Sequence, residues 1–140
     1  MMKNTFTSTI NESNADGKVK LIYDDIKNTL GIDFIPNMYK AMALNPDYLK
    51  LTWDRVQAIM GTGGKLDNTT KDIIALVVSI MSGSSYCIDV YNEAVRHKGL
   101  DDEAISEIYA VIDIYSGLNR FNIAHQTKKD EKSWYGCGGS

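Results

Sequence analysis

DIIALVVSIMSGSSYCIDVY, residues 72–91, is the stretch that decides the fold of this chain. Its apolar run predicts a helix, its Ser-Gly-Ser segment a turn, and the remainder the start of a second helix. Ser84, Cys87 and Tyr91 are spaced by three and four residues, so on a helix their side chains line one face. The stretch therefore predicts a helical hairpin with a thiol in the first turn of its second helix.

Two interpretations of Cys87 follow from that position. The positive end of the helix dipole and the free backbone N–H groups favour a thiolate, which predicts a nucleophile or a redox sensor. A free cysteine is also among the most buried residue types, and Cys87 would then be a small apolar side chain packed in the hairpin. The residues alone leave both interpretations open.

Composition limits the class of protein. With 140 residues the chain is long enough for one domain with its own core, and 44% hydrophobic and 24% charged residues are typical of a globular protein. A net charge of -3 offers no basic field for nucleic acid or for an anionic membrane surface. We therefore expect neither nucleic acid nor a membrane as a partner.

Cysteine and histidine usage points to a reducing environment without a metal. Two cysteines fifty residues apart form neither a secreted disulfide framework nor a four-ligand zinc site. Two separated histidines without an acidic cluster predict no metal site, and no cofactor is expected. The N-terminus has no apolar segment typical of a signal peptide, and the apolar run of residues 73–81 is far shorter than the about 20 residues that span a bilayer. We expect a cytoplasmic protein.

Helical periodicity continues on both sides of the hairpin and predicts an all-α fold. Residues 1–15 are polar and predict a flexible N-terminal arm, residues 16–127 a helical domain of about six to seven helices, and residues 128–140 a polar C-terminal tail. Asn45, Asp67 and Asp101 are predicted N-caps. Gly117 is expected to kink or split the last helix.

The first helix of the hairpin is predicted to be apolar on nearly its whole circumference. Its apolar residues do not keep to one stripe between Ile73 and Met81. A helix of this kind is buried either in a core or in an interface between subunits. In so small a domain, this favours a homo-oligomer.

Three blocks of sequence resemble the AhpD-like superfamily, which contains the alkylhydroperoxidase D proteins and the carboxymuconolactone decarboxylases. They are FIPNMYKAMALNPDYLKL (residues 34–51), KDIIALVVSIMSGSSYCIDVYNEAVRHKGLDDEAI (71–105) and YSGLNRFNIAHQ (115–126). The resemblance covers residues 20–126. It implies an all-helical bundle with a central helical hairpin and assembly into dimers, trimers or hexamers.

The resemblance also implies a set of site residues. The family's peroxidase motif is a Glu, a Cys-x-x-Cys twelve residues later and a His four residues after the second Cys. In this chain those positions hold Asp72, Ser84, Cys87 and Tyr91. In the family the second cysteine attacks peroxide or a disulfide, the first resolves the product, and the Glu and His relay protons.

Each departure from the motif has its own consequence. Ser84 cannot form a disulfide, and it is equally explained as an N-cap. Asp72 keeps a carboxylate but its side chain is one methylene shorter. It is equally explained as an acid that the helix dipole favours near the start of its helix, or as a hydrogen-bond partner of Tyr91 or Ser84. Tyr91, with an ordinary pKa of about 10, is a poor base at neutral pH and is equally explained as a core aromatic with a satisfied hydroxyl.

Three functions remain open at this stage. The first is a peroxiredoxin-type thiol antioxidant that uses Cys87 alone and takes electrons from a thiol reductant, with Cys137 as the candidate resolving thiol in this chain. The second is a non-catalytic oligomeric homologue that binds a small molecule. The third is a carboxymuconolactone-type decarboxylase, which needs a base and a cation, and the motif region offers Arg96 and Lys98 as cations.

Overall fold

The computed structural model describes residues 5–134 and Gly136, and these form helices without a strand. A short 3-10 turn, Glu12–Asn14, precedes six α-helices. The helices are α1 (Gly17–Leu30), α2 (Asn37–Met42), α3 (Pro46–Met60), α4 (Asn68–Ser82), α5 (Ser85–His97) and α6 (Asp102–His125). The prediction of an all-α fold of about six helices is confirmed.

Side-chain caps fix where three of these helices begin. Asn45, Asp67 and Asp101 each accept a hydrogen bond from the backbone N–H three residues further on, at 3.2, 2.8 and 2.9 Å. Such a cap satisfies one of the N–H groups that the first helical turn leaves without a partner. The three N-caps predicted from the sequence are confirmed.

The chain divides into two compact units, Met1–Lys65 and Leu66–Ser140, where the sequence suggested one domain. The first unit packs α1, α2 and α3 around a core that centres on Trp53. Trp53 meets Tyr39 edge-to-face with 5.6 Å between ring centroids and donates its indole N–H to Asp25 at 2.6 Å. This unit contains Val19, Ile22, Tyr23, Ile26, Ile35, Tyr39, Ala43, Leu49 and Trp53 as its buried core.

The end of the expected N-terminal arm is attached to this core. Tyr23 donates its hydroxyl to the carbonyl of Ile10 at 2.7 Å, and Ile10 donates its backbone N–H to Lys40. Glu12 accepts from Lys27 at 2.8 Å and from the backbone N–H of Ile35 at 3.1 Å. Residues 10–15 therefore belong to the packed first unit and are not a loose arm.

The second unit is built on the α4–α5 hairpin. Leu76 of α4, Val95 of α5 and Ile105 of α6 are its buried apolar core, and Tyr91 packs against them. Only one side of α4 is buried in this chain, because Ile74, Val78 and Met81 remain about half exposed. The helical hairpin predicted from residues 72–91 is confirmed.

The last helix is longer than the sequence indicated. α6 runs without interruption through Gly117, so the expectation that this glycine splits the helix is wrong. Nothing lies within 4 Å of the position that a Cβ would take there. Gly117 is therefore not required by a close contact and does not end the helix, and it stays in an ordinary helical conformation.

Candidate functional site

The turn between α4 and α5 has a defined geometry that begins at Gly83. Gly83 adopts the left-handed conformation, with φ of 72°. Its N–H donates to Ile80, and the N–H of Ser84 donates to Ser79, both at 3.1 Å. This pair of bonds is the Schellman ending of α4, which glycine favours because it has no Cβ. The turn delivers Ser84 directly to the start of α5.

Ser84 is the N-cap of α5. Its hydroxyl oxygen accepts a hydrogen bond from the backbone N–H of Cys87 at 3.5 Å. Cys87 lies in the first turn of α5, where the helix dipole favours a negative charge, and its thiol is free and half-buried. The structure therefore brings two predicted site residues, Ser84 and Cys87, together at one end of the hairpin.

Asp72 has a different partner from those expected. Its carboxylate is almost buried, with 11% of the side chain exposed, and it accepts a hydrogen bond from the ammonium of Lys98. Lys98 is also partly covered, with 30% of its side chain exposed. The expectation that Asp72 bonds to Tyr91 or Ser84 is replaced by an ion pair with Lys98, which neutralises the buried charge.

The end of α5 places Lys98 for this contact. Lys98 is the C-cap residue, followed by Gly99 with φ of 98°. Leu100 donates its backbone N–H to Val95 at 3.1 Å and Gly99 donates to Arg96 at 2.9 Å, which is a second Schellman ending. Because α4 and α5 are antiparallel, the end of α5 lies beside the first turns of α4, where Asp72 stands.

Tyr91 lies between the two ends of the hairpin. Burial raises the pKa of its hydroxyl, and the negative charges of Asp72 and Cys87 raise that pKa further. All three causes favour the protonated phenol. Tyr91 is therefore a hydrogen-bond donor in the site at neutral pH and not a base.

Cys87 and Lys98 stand at opposite ends of α5. Cys87 and Lys98 are eleven residues apart on α5, which corresponds to about 16 Å along the helix axis. The ammonium of Lys98, at the end of α5, bonds to the carboxylate of Asp72. Tyr91 lies between Cys87 and Lys98 on α5, and the charges of Asp72 and Cys87 both raise its pKa.

Sequence reasoning missed the pairing of Lys98. The sequence indicates Lys98 only as one of two cations in the motif region, without a partner. The signal was present in the hairpin itself, since two antiparallel helices joined at Gly83 bring the start of the first to the end of the second. That topology places the cation beside the acid.

Neither a metal-binding cluster nor a membrane-spanning helix is found among the described residues. Within residues 5–134 and Gly136, no three His, Cys, Asp or Glu side chains are grouped closely enough to hold a metal ion. In the same part of the chain, no helix combines the length and the apolar character needed to cross a membrane. Cys137, the candidate resolving thiol, lies outside the described residues.

Comparison with known proteins agrees with this architecture. The model of the carboxymuconolactone decarboxylase family matches residues 46–126, a range that contains the complete hairpin. The chain belongs to the carboxymuconolactone decarboxylase family. This family member is also similar to the crystal structure of the alkylhydroperoxidase AhpD core from Rhodospirillum rubrum, with a TM-score of 0.77 and 36% sequence identity. That similarity covers 81% of this chain and 84% of the AhpD core.

A second relative carries a different activity in its name. This member of the carboxymuconolactone decarboxylase family is 35% identical, over 124 residues, to an (R)-2-haloacid dehalogenase of Pseudomonas putida. The match covers 83% of this chain. The chain spans 39% of the dehalogenase's length.

Proposed function

We propose that this protein is an AhpD-like hydroperoxide reductase of the peroxiredoxin type that works with Cys87 as its one reacting thiol. The observation that carries the proposal is the position of Cys87 in the first turn of α5, directly after the glycine turn of the hairpin. Helix N-termini stabilise thiolates, and a half-buried thiol is within reach of a small peroxide. The similarity to the AhpD core supports the same assignment.

The reaction has two balanced halves. Cys87 loses its thiol proton, and the thiolate attacks the terminal oxygen of the hydroperoxide. The O–O bond breaks, an S–O bond forms, and the leaving alkoxide takes up a proton, which gives an alcohol and a sulfenic acid on Cys87. Two molecules of an external thiol then reduce the sulfenic acid to the thiol, releasing water and a disulfide.

Tyr91 supplies the donor that the leaving oxygen needs. Its phenol is protonated at neutral pH because burial and two nearby negative charges raise its pKa. It stands one helical turn after Cys87, on the same face of α5. Tyr91 thus acts as the hydrogen-bond donor, which is one part of the role that the family gives to histidine. Solvent has to act as the base that accepts the thiol proton of Cys87.

The need for an external reductant follows from the serine at position 84. A serine hydroxyl forms no disulfide, so an oxidised Cys87 has no partner within the motif. Cys137 remains a candidate resolving thiol from the tail. A small thiol or a thiol protein completes the cycle when Cys137 does not.

The test is consumption of an alkyl hydroperoxide in the presence of an excess of dithiothreitol. Wild type, Cys87→Ser and Cys137→Ser are compared at equal concentration. The proposal predicts turnover in wild type that Cys87→Ser abolishes. Equal peroxide consumption by wild type and Cys87→Ser refutes it, and an inert, folded wild type then favours the non-catalytic homologue.

A second candidate function rests on the Asp72–Lys98 pair. A nearly buried carboxylate beside an ammonium group supplies a base and a cation, which are the groups that decarboxylation or hydrolysis of a small carboxylic acid requires. The dehalogenase relative adds the possibility of a 2-haloacid substrate. Halide release from (R)-2-chloropropionate, or carbon dioxide release from a carboxylated lactone, that is lost in Asp72→Asn would establish this function.

We also propose that the protein forms a homo-oligomer through α6. Val111, Ile114, Leu118 and Phe121 are spaced by three, four and three residues and remain exposed, with Phe121 at 67%. A second copy of the chain is the natural cover for such a stripe. Sedimentation should give a dimer or larger for wild type and a smaller species for Ile114→Glu. Arg120→Glu, which places the same side chain on the opposite face of α6, should leave the assembly intact.

A further inference from the structure

The ion pair between Lys98 and Asp72 is the least expected feature of the hairpin. Asp72 is a buried charged residue, at 8% exposure, and Lys98 covers it from the end of α5. Arg96 and Asp102, another ion pair of the second unit, lie on the surface. The chain therefore buries one charge pair at the motif position of the family's acid.

One face of α5 connects that pair to the thiol. Cys87, Tyr91, Val95 and Lys98 are spaced by four, four and three residues, which places them on a single stripe. Val95 is fully buried against Leu76 of α4, and Tyr91 packs against the same cluster. Tyr91 is thus the polar group of the stripe between Lys98 and Cys87.

We propose that Lys98 is a positioning residue that acts on Cys87 through Asp72 and Tyr91. By engaging Oδ2 of Asp72, Lys98 satisfies the carboxylate, which would otherwise compete for the hydroxyl of Tyr91. The Tyr91 hydroxyl is then free to donate to the sulfur of Cys87 and to stabilise its thiolate. This inference rests on the proposed function, because it gives Lys98 a part in preparing the thiol for peroxide.

The electrostatics of Tyr91 agree with this arrangement. The charges of both Asp72 and Cys87 raise the pKa of its hydroxyl. The position of Tyr91 agrees with this, because it follows Cys87 by one helical turn and packs against the same cluster as Ile73, the neighbour of Asp72. An anion without a counter-charge attracts a phenol more strongly than one that is already paired. Removing Lys98 should therefore draw the hydroxyl towards Asp72 and away from Cys87.

The experiment measures the rate at which iodoacetamide alkylates Cys87 at fixed neutral pH, in a Cys137→Ser background, by intact mass. Four proteins form a cycle: the background, Lys98→Met, Tyr91→Phe and the double variant. Loss of one hydrogen bond to a charged sulfur corresponds to a rate about tenfold lower, which is expected for each single variant. The double variant should be no slower than Tyr91→Phe, because Lys98 acts through Tyr91.

Controls separate this role from a purely structural one. Lys98→Arg should restore the rate to within about twofold, since it keeps a cation on Asp72. Arg96→Met, which removes the neighbouring surface cation from the same end of α5, should leave the rate unchanged. Lys98→Gln, which retains a donor to Asp72, replaces Lys98→Met if that variant does not fold.

Two results overturn the inference. One is an unchanged alkylation rate in a folded Lys98→Met protein. The other is a double variant whose effects multiply, which would show that Lys98 acts without Tyr91. Alkylation needs no peroxide turnover, so failure of the peroxidase assay with an intact cycle would refute the proposed function and leave this coupling standing.

Discussion

Lys98 donates a hydrogen bond to Asp72 across the α4–α5 hairpin, although the two residues are 26 positions apart in sequence. The contact joins the C-cap of α5 to the second turn of α4 and covers a carboxylate that would otherwise be buried alone. It is made by a lysine that stands about 16 Å from Cys87 along the axis of α5. In this chain the residue at the acid position is therefore engaged by a cation.

Removing the cation should destabilise the second unit. Lys98→Met leaves the nearly buried Asp72 carboxylate without its partner, and we expect a loss of about 2 kcal/mol, between the values for surface and fully buried pairs. Urea unfolding measures this loss. Arg96→Met breaks the exposed pair with Asp102 and should cost clearly less. Equal losses for the two variants would contradict the importance of burial.

The hairpin turn should depend on the left-handed conformation of Gly83. Gly83→Ala places a Cβ at φ of 72°, with no neighbouring atom to clash, so the cost is backbone strain of about 1–2 kcal/mol. Gly117→Ala is the matched control inside α6. It should stabilise the protein by about 0.5–1 kcal/mol, because alanine favours the helical conformation. Thermal or urea unfolding that ranks the two variants in the opposite order would refute the turn geometry.

A single substitution should rebuild the disulfide motif. The Ser84 hydroxyl already points at the backbone N–H of Cys87, so Ser84→Cys places two sulfurs in a Cys-x-x-Cys arrangement at a helix start. On mild oxidation the variant should lose about 2 Da in a Cys137→Ser background, as expected for a disulfide. Dithiothreitol should reverse the change. A variant that stays reduced would show that position 84 does not match the family's resolving cysteine.

The raised pKa of Tyr91 should appear in the alkaline limb of stability. The folded state holds this proton more tightly than the unfolded chain, so the contribution of Tyr91 is complete below pH of about 10 and is lost as the pH rises through the folded-state pKa. Tyr91→Phe should therefore lose less stability than wild type between pH 9 and 11, as measured by urea unfolding. The difference in slope should correspond to the titration of about one group. Tyr23, whose pKa burial also raises, should maintain part of the wild-type slope. Parallel slopes for the two proteins would contradict the placement of Tyr91.

Much of the fold was predictable because its signals are local. The N-caps Asn45, Asp67 and Asp101, and the left-handed glycine at 83, act within one helical turn of the residue that carries them. The spacing of Ser84, Cys87 and Tyr91 likewise fixes one face of α5 without tertiary information. Gly117 was misleading because a glycine lowers helix propensity without forcing an end, and the apolar residues around it maintain α6.

The candidate site was less predictable because its central contact is not local. The pair of Lys98 with Asp72 depends on how two helices lie against each other, which no single stretch specifies. The position of Ile10 and Glu12 was missed for the same reason, since polar composition predicts a loose arm whereas hydrogen bonds to Tyr23, Lys27 and Ile35 hold it. The sequence pattern does not specify the long-range partners of charged and polar groups.

The central claim is that Cys87 reacts with peroxide, and trapping its product tests this most directly. The Cys137→Ser protein is treated with an alkyl hydroperoxide in the presence of dimedone, which captures sulfenic acids, and its intact mass is compared with that of Cys87→Ser/Cys137→Ser. We predict a single adduct that requires both peroxide and Cys87. A folded protein whose Cys87 remains an unmodified thiol under these conditions would contradict the account.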